Sequence, residues 1–186
     1  MAEESQISAS LVTLMMMNLL SAEKRIKHNV CQVKFILLYL SLLEFLNYLD
    51  LSNNDFKAIH HLPMGMHGFG LSYLHLGGNR FHRQIPETLF NLKKLYTLDL
   101  AGNMLSGKIP ATFGNLSSLV TLDVSSNQLT GSLPETLGQL SNLEVLKLRE
   151  NYLSGVMPDR NFAKLPNLHK LSFGSPSFNF DDFDPH

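Results

Sequence analysis

Residues 92–164 contain three similar segments: LKKLYTLDLAGNMLSGKIPATFGN (92–115), LSSLVTLDVSSNQLTGSLPETLGQ (116–139) and LSNLEVLKLRENYLSGVMPDRNFAK (140–164). Aligning these segments forms a column of asparagines that extends upstream, with members 24 or 25 residues apart: Asn54, Asn79, Asn103, Asn127 and Asn151. A fixed period of this length is typical of chains built from stacked units, none of which can bury its apolar face alone. The sequence therefore predicts a repeat architecture with one unit per asparagine.

The first half of each unit follows the frame L-x-x-L-x-L-x-x-N-x-L. In Leu98-Asp99-Leu100 the alternation is strand-like, so both leucines face one way and the aspartate faces the other. A buried leucine side chain contributes roughly 1.5–3 kcal/mol, but the inward leucines of one unit need a neighbouring unit to bury them. Strands stacked about 4.8 Å apart then form a parallel sheet along one side of a curved body. We expect the asparagine after each strand to bond the backbone of its own and adjacent units, which gives a structural ladder.

The second half of each unit has the pattern Leu-x-Gly-x-Ile-Pro, as in Leu105, Gly107, Ile109 and Pro110. The glycine permits a bend that most residues cannot make, and the proline, which lacks an N–H group, ends the short extended piece. With the (Leu/Phe)-Gly-x-Leu that follows, this pattern resembles the plant-type leucine-rich repeat. The resemblance implies an α/β-type repeat solenoid, a curved stack of about six rungs of about 24 residues each with a parallel concave β-sheet.

The domain organisation follows from the extent of the repeats. We predict a leucine-rich repeat domain over residues 35–186, with rungs that start near residues 43, 68, 92, 116, 140 and 165. The last rung is degenerate, because Pro176 occupies the asparagine position. Residues 1–34 form a lead segment, whose apolar run ASLVTLMMMNLL has the length of a signal-peptide core. Since Glu3 and Glu4 stand where a positive start is usual, a signal peptide and a short amphipathic or disordered lead are both open.

The resemblance also implies a function. It is to the ectodomain of a plant receptor-like protein or receptor-like kinase, of which this chain would be a truncated piece. Such a module would bind a peptide, glycan-derived or protein ligand at the extracellular face of the plasma membrane. It would signal in defence or development through a partner such as a co-receptor kinase, and it would need no cofactor and no metal. The alternative is a small soluble leucine-rich repeat scaffold, decoy or inhibitor, either secreted or cytosolic.

Several other classes of protein are not supported by the sequence. A net charge of −1 with 17% charged residues gives no electrostatic basis for nucleic-acid binding. The chain has no kinase glycine loop with its lysine, no H-R-D stretch and no nucleophile elbow, so we expect no catalysis. His60, His61 and His67 lie close together, but without a cysteine or a fixed carboxylate spacing they do not predict a metal site.

We expect the ends of the stack to be uncapped. Cys31 is the only cysteine, so the paired-cysteine caps usual in secreted members of the resembled family cannot form within this chain. Stacked repeats need polar terminal caps for solubility, whereas the last rung presents Leu171 and Phe173. These observations predict self-association through the uncapped ends.

The outward-facing strand positions are the candidates for ligand contact, since aromatic residues and arginine are favoured at interfaces. They are Tyr48, Asp50, Tyr73, His75, Asp99, Asp123, Lys147 and Arg149. Aspartate at the middle strand position is also the ordinary choice of this repeat type, so solvated aspartates without a ligand are the plain alternative. Asn115 begins an N-glycosylation sequon, Asn115-Leu116-Ser117, in the turn between two rungs. We expect it to carry a glycan if the chain enters the secretory route.

Overall fold

The computed structural model describes residues 47–57, 70–156, 165–174 and 178–179. Its strands are, in chain order, β1 (Tyr48–Asp50), β2 (Tyr73–His75), β3 (His82–Arg83), β4 (Thr97–Asp99), β5 (Met104–Gly107), β6 (Thr121–Asp123), β7 (Gln128–Gly131), β8 (Val145–Lys147), β9 (Tyr152–Leu153), β10 (Gly155–Val156), β11 (Lys170–Ser172) and β12 (Phe178–Asn179). The lead segment predicted over 1–34 and the histidines His60, His61 and His67 lie outside the described residues.

One side of the solenoid is a six-stranded parallel sheet with the order β1-β2-β4-β6-β8-β11. We call the repeat units that hold these strands rungs one to six. The register follows the repeat period, so the middle leucines of successive strands pair directly, as in Leu74 with Leu98 and Leu98 with Leu122. The predicted repeat solenoid with a parallel sheet is confirmed.

The opposite side is built from shorter pieces. A second parallel sheet has the order β3-β5-β7-β9, and β10 pairs with β12. Among the described residues, 3₁₀ helices follow over Glu87–Asn91, Ala111–Asn115 and Glu135–Gln139, and each begins directly after a proline. Each of these prolines has an extended backbone, with ψ between 134° and 143°, and its carbonyl accepts the first hydrogen bond of the helix, as in Leu89 N–H to Pro86 O at 3.1 Å. Gly107 ends β5 with a φ of 81°, a value that costs glycine little.

The core lies between the two sides and is filled by leucines and phenylalanines. The middle leucines Leu74, Leu98, Leu122 and Leu146 are at most 1% exposed. Near the 3₁₀ helices, the rings of Phe90 and Phe113 lie 4.5 Å apart between centroids. Each rung thus closes the core of the previous one, as the stacking argument requires.

The asparagine column joins neighbouring rungs through buried amide groups. The Nδ2 group of Asn127 donates to the carbonyl oxygens of Leu100 in the preceding rung (2.9 Å) and Val124 in its own (3.1 Å). Its Oδ1 accepts the N–H of Leu105 at 3.0 Å. The same pattern recurs at Asn79, Asn103 and Asn151, all of which are buried. Asn54 is half-buried and donates to carbonyl groups of its own rung.

Candidate functional site: the concave face of the sheet

The outward positions of the six-stranded sheet form the surface that we call the concave face. It comprises, in each rung, the strand residues that flank the inward leucines. All eight residues proposed from the sequence as ligand contacts lie on or directly beside this sheet: Tyr48, Asp50, Tyr73, His75, Asp99, Asp123, Lys147 and Arg149. Tyr48, Tyr73 and His75 form an aromatic group on rungs one and two, and Asp123, Lys147 and Arg149 form a charged group on rungs four and five. Asp50 and Asp99 lie in the middle column of rungs one and three.

The aromatic group is a row of exposed tyrosines. The ring centroids of Tyr48 and Tyr73 are 6.0 Å apart, and the ring of His75 lies 5.4 Å from that of Tyr48. The row continues to Tyr96, whose ring is 5.7 Å from that of Tyr73. Between 37% and 46% of each tyrosine is exposed. This row offers aromatic faces to solvent over three successive rungs.

Tyr96 is a candidate that the sequence analysis missed. It precedes Thr97, which occupies the column aligned with Tyr48 and Tyr73. A strict column comparison therefore excludes it, although its ring adjoins that of Tyr73. In the sequence, Tyr96 could have been found only as a third tyrosine near a strand, two residues before the middle leucine Leu98 of β4.

The aspartates of the middle column accept a hydrogen bond from the backbone N–H two residues later, just after the strand ends. Asp99 Oδ1 accepts the N–H of Ala101 at 2.9 Å, and Asp50 Oδ1 accepts the N–H of Ser52 at the same distance. This local bond explains why aspartate is common at the middle position with or without a ligand. The side chain of Asp99 is half-buried and thus still reaches the surface, where its Oδ2 lies 3.9 Å from His75 Nδ1.

Two titrating groups on rung one have shifted pKa values. Burial alone would raise the pKa of Asp50, but the hydrogen bonds from Ser52 outweigh it and the net pKa lies below the ordinary value. Asp50 therefore carries its negative charge throughout the neutral range. Burial, and then the charge of Asp50, raise the pKa of Tyr48, so that its hydroxyl stays protonated there.

Asp123 and Lys147 form an ion pair across rungs four and five, with 2.8 Å between Lys147 Nζ and Asp123 Oδ2. Ser125 also donates to Asp123, through its N–H at 3.0 Å and its hydroxyl at 2.6 Å. The hydrogen bond and charge of Asp123 raise the pKa of Lys147. Asp123, expected as an open surface residue, is therefore buried at 9% exposure beneath its partners.

Arg149 is the exposed cation of rung five. Within the part of the chain that the structure describes, no ion pair holds its guanidinium, whereas the neighbouring Glu150 accepts from the hydroxyl of Ser126 at 2.6 Å. A guanidinium in this setting can bind a carboxylate or another planar anion with two parallel hydrogen bonds.

The column after the inward leucines is almost without side chains on rungs two and three, where it holds Gly77 and Ala101. Gly77 is buried and Ala101 is half-buried, and the carboxylate of Asp99 lies over Gly77, since its oxygens would be 3.0 and 3.1 Å from a Cβ at that position. At rung five the same column holds the exposed Arg149 instead.

Two further asparagines bridge rungs at the edge of the sheet, and the sequence analysis did not single them out. Asn142 Nδ2 donates to the carbonyl of Ser117 and Asn167 Nδ2 to that of Ser141, both at 2.9 Å. Both asparagines stand at the third position of the motif L-x-N-L that begins rungs five and six, and this recurrence could have pointed to them in the sequence. Asn115, the proposed glycan acceptor, is exposed at the end of its 3₁₀ helix.

Among the described residues, no group of three histidine, cysteine, aspartate or glutamate side chains is placed to hold a metal ion. Within the same residues, no helix combines the length and apolar character needed to cross a bilayer.

Comparison with known proteins gives two kinds of result. A family model described as a leucine-rich repeat region matches residues 26–179. A search of curated protein sequences gave no match.

Solved structures that resemble the chain are ectodomains of plant receptors. One is the ectodomain of the membrane receptor kinase GASSHO1/SCHENGEN3 from Arabidopsis thaliana in complex with CASPARIAN STRIP INTEGRITY FACTOR 2, at 34% identity over 75% of this chain and 16% of that chain, with a TM-score of 0.68. The plant peptide hormone receptor RGFR1 in complex with RGF2 is 38% identical over 69% of this chain and 20% of that chain, with a TM-score of 0.64.

A third is the Arabidopsis receptor kinase HAESA in complex with the peptide hormone IDA and the co-receptor SERK1. It is 35% identical over 77% of this chain and 24% of that chain, with a TM-score of 0.62. The chain thus spans between 16% and 24% of the length of these three proteins.

Proposed function

Since the chain belongs to the leucine-rich repeat family and resembles the ectodomains of plant receptor kinases, we propose that its concave face is a non-catalytic surface that binds an extended peptide or protein segment. The observation that carries this proposal is the unbroken register of the six-stranded sheet. That register sets aromatic and cationic side chains, including Tyr48, Tyr73 and Arg149, along one surface. Side chains of these types dominate the energetics of protein interfaces.

The dimensions of the face limit the ligand. Six strands spaced by about 4.8 Å give a length on the order of 25 Å. An extended peptide rises about 3.3 Å per residue, so roughly seven residues cross the face.

The proposed setting is the extracellular face of a plant plasma membrane. HAESA was solved with a peptide hormone and a co-receptor kinase, and we extend that arrangement to this chain as a peptide ligand with a co-receptor kinase in defence or developmental signalling. Asn115 is exposed at the end of a 3₁₀ helix, which leaves space for the glycan expected if the chain enters the secretory route.

Selection from a displayed library of random heptapeptides tests ligand binding. The bait is the full 186-residue chain, compared with two triple-alanine variants: one on the concave face at Tyr48, Tyr73 and Arg149, and one on the second sheet at Gln128, Thr130 and Tyr152. We expect peptides that are retained by the wild type and the second-sheet variant and lost by the concave-face variant. Retention by all three baits would contradict the proposal.

Glycosidase treatment of the chain expressed in plant cells tests the cellular setting. We expect a mobility shift that disappears in Asn115→Gln, together with membrane or secreted fractions. An unshifted cytosolic band would contradict the extracellular setting and favour the soluble scaffold. The conservative variant Asn91→Gln, at the same column of the preceding rung but outside a sequon, is the control and should leave the shift unchanged.

A further inference from the structure

The side of the solenoid that holds the second sheet is charged at one end only. The described residues that follow the asparagine column in rungs one to three include four exposed cations: Lys57, Arg80, Arg83 and Lys108. In rungs four and five the corresponding segments, 128–134 and 152–156, contain no charged side chain. We call the four cations the basic patch.

The backbone places the members of the basic patch on successive rungs. The N–H of His82 donates to the carbonyl oxygen of Lys57 at 3.2 Å, which joins rung two to rung one. Arg83 pairs with Leu105 in the register of β3 with β5, three residues before Lys108. The basic patch therefore crosses three rungs, which are spaced by about 4.8 Å.

Carboxylates on this side of rungs one to three are few. Asp55 Oδ1 lies 2.8 Å from Arg80 Nε, and both side chains are 64% exposed. An exposed pair of this kind contributes little, so Arg80 can also contact a ligand. Glu87, at the start of the first 3₁₀ helix, is the other described carboxylate on this side. Residues 58–69, which follow Lys57 in the chain, contain no acidic residue, so positive charge is in excess here.

Arg83 occupies a column that the neighbouring rungs fill with glycine. Its φ is 73°, and Gly107, Gly131 and Gly155 have φ values between 78° and 108° in the same column. This left-handed conformation is unfavourable for any residue that has a Cβ. A residue held in such a conformation points to a function of its side chain. The presence of arginine is thus not explained by the stability of the fold.

Lys108 is positioned by packing against the next rung. Its stem lies over Gly131, where a Cβ would be 3.0 Å from Lys108 Cγ and 3.4 Å from Lys108 Cε. A stem that already lies along the protein surface loses less conformational freedom when the charged group binds a ligand. The ammonium group of Lys108 is therefore partly ordered for contact with an anion.

We propose that the basic patch binds an acidic segment of a partner protein, at a surface separate from the concave face. Arginine binds a carboxylate with two parallel hydrogen bonds, and cations on three rungs match a segment with several carboxylates. Arginine and methionine are enriched at protein interfaces, and Met104, which is 47% exposed, pairs with His82 in the register beside the patch. These residue types favour a protein partner over an acidic polysaccharide.

An amidated octaglutamate peptide labelled with fluorescein tests the proposal against the full chain. Binding is measured by fluorescence anisotropy in low-salt buffer. We expect saturable binding that is lost at a salt concentration of about 1 M, where the screening length is about 3 Å. The matched octaglutamine peptide should not bind. The proposal would be overturned by a lack of saturable octaglutamate binding or by equal binding of octaglutamine.

Variants that each remove one charge assign the binding to the basic patch. Lys57→Gln and Arg83→Gly should each weaken the affinity about threefold, the effect of one exposed ion pair. Lys93→Gln is the matched control, because Lys93 is exposed in the turn between the first 3₁₀ helix and β4. Equal weakening by Lys93→Gln would mean that net charge alone attracts the peptide, which would overturn the assignment.

Arg83→Gly also separates binding from folding. Since glycine adopts a positive φ without a steric penalty, this variant should melt at a temperature at least as high as that of the wild type while it binds octaglutamate more weakly. A lower melting temperature would mean that Arg83 is retained for stability. That result would overturn its assignment as a binding residue.

Two further comparisons test the class of partner and the surface. Octagalacturonate carries one carboxylate per unit, as octaglutamate does, and tighter binding of it through Lys57 and Arg83 would overturn the protein partner in favour of an acidic polysaccharide. The triple-alanine variant of the concave face should bind octaglutamate like the wild type, whatever the heptapeptide selection gives. Loss of binding in that variant would place the acidic segment on the concave face and overturn the separate surface.

Discussion

Asn127 shows at the scale of one residue how the rungs are held together. Its amide satisfies the N–H of Leu105 and the carbonyl of Leu100, both buried backbone groups of the preceding rung. Replacement by alanine leaves the Leu105 N–H unpaired, which costs about 1–3 kcal/mol, and removes one of the two amide bonds to the Leu100 carbonyl, which keeps the bond from Asn103. We expect Asn127→Ala to lower the free energy of unfolding by about 3 kcal/mol, as measured by urea denaturation.

The adjacent residue provides the control for that variant. Gln128 is exposed at the start of β7, so Gln128→Ala should change the free energy of unfolding by less than about 0.5 kcal/mol. An Asn127→Ala chain with the same urea midpoint as Gln128→Ala would show that the amide ladder contributes nothing to stability.

At this scale the sequence predicted residues whose role follows from the period and missed those whose role depends on side-chain geometry. The position of Asn127 was predictable because any buried amide at a turn needs backbone partners. Tyr96 was missed, since only the direction of its ring brings it beside Tyr73. The burial of Asp123 was missed as well, although the 24-residue spacing to Lys147 places the two on adjacent strands.

At the scale of the element, consecutive 3₁₀ helices lie so close together that the contact limits which residues fit between them. Gly114 lies in the helix Ala111–Asn115, and a Cβ at this position would be 2.7 Å from the carbonyl oxygen of Thr136 in the next helix. Since a backbone atom cannot rotate away, we expect Gly114→Ala to destabilise the chain by about 2 kcal/mol in thermal or urea unfolding.

The side chain of Gln139 also lies close to Gly114, and its removal separates the two causes. Gln139→Ala relieves only the contact with a flexible side chain. Gly114→Ala should therefore remain destabilising in the Gln139→Ala background. Full recovery of stability in the double variant would show that the clash of Gly114→Ala is with the Gln139 side chain and not with the Thr136 carbonyl.

The elements themselves were predictable to different degrees. The strands of the concave sheet follow from the alternation of leucines, which any stacked unit must repeat in register. The second sheet was not predicted, because strands such as β3 and β9 have two residues each and no alternation can be detected over that length. Its path is instead set by turns at positions such as Gly107, where φ is positive.

For the whole molecule, the question is what covers the ends of the stack. In rung five, Leu146 and Leu148 are at most 1% exposed, whereas the corresponding Leu171 and Phe173 of rung six are only half-buried. Because terminal repeats need polar caps, we expect the purified chain to associate at micromolar concentration, measured by light scattering across a dilution series. A monomer at all concentrations would contradict this expectation.

The central claim concerns the whole concave face, and site-specific photo-crosslinking tests it most directly. Benzoylphenylalanine is placed either at Thr97, half-buried at the centre of the concave sheet, or at Thr130, exposed on the second sheet. Each chain is irradiated with a heptapeptide retained in the selection, and the adducts are quantified by mass spectrometry. The account predicts adducts from position 97 and none from position 130. Adducts from position 130 alone, or equally from both positions, would contradict it.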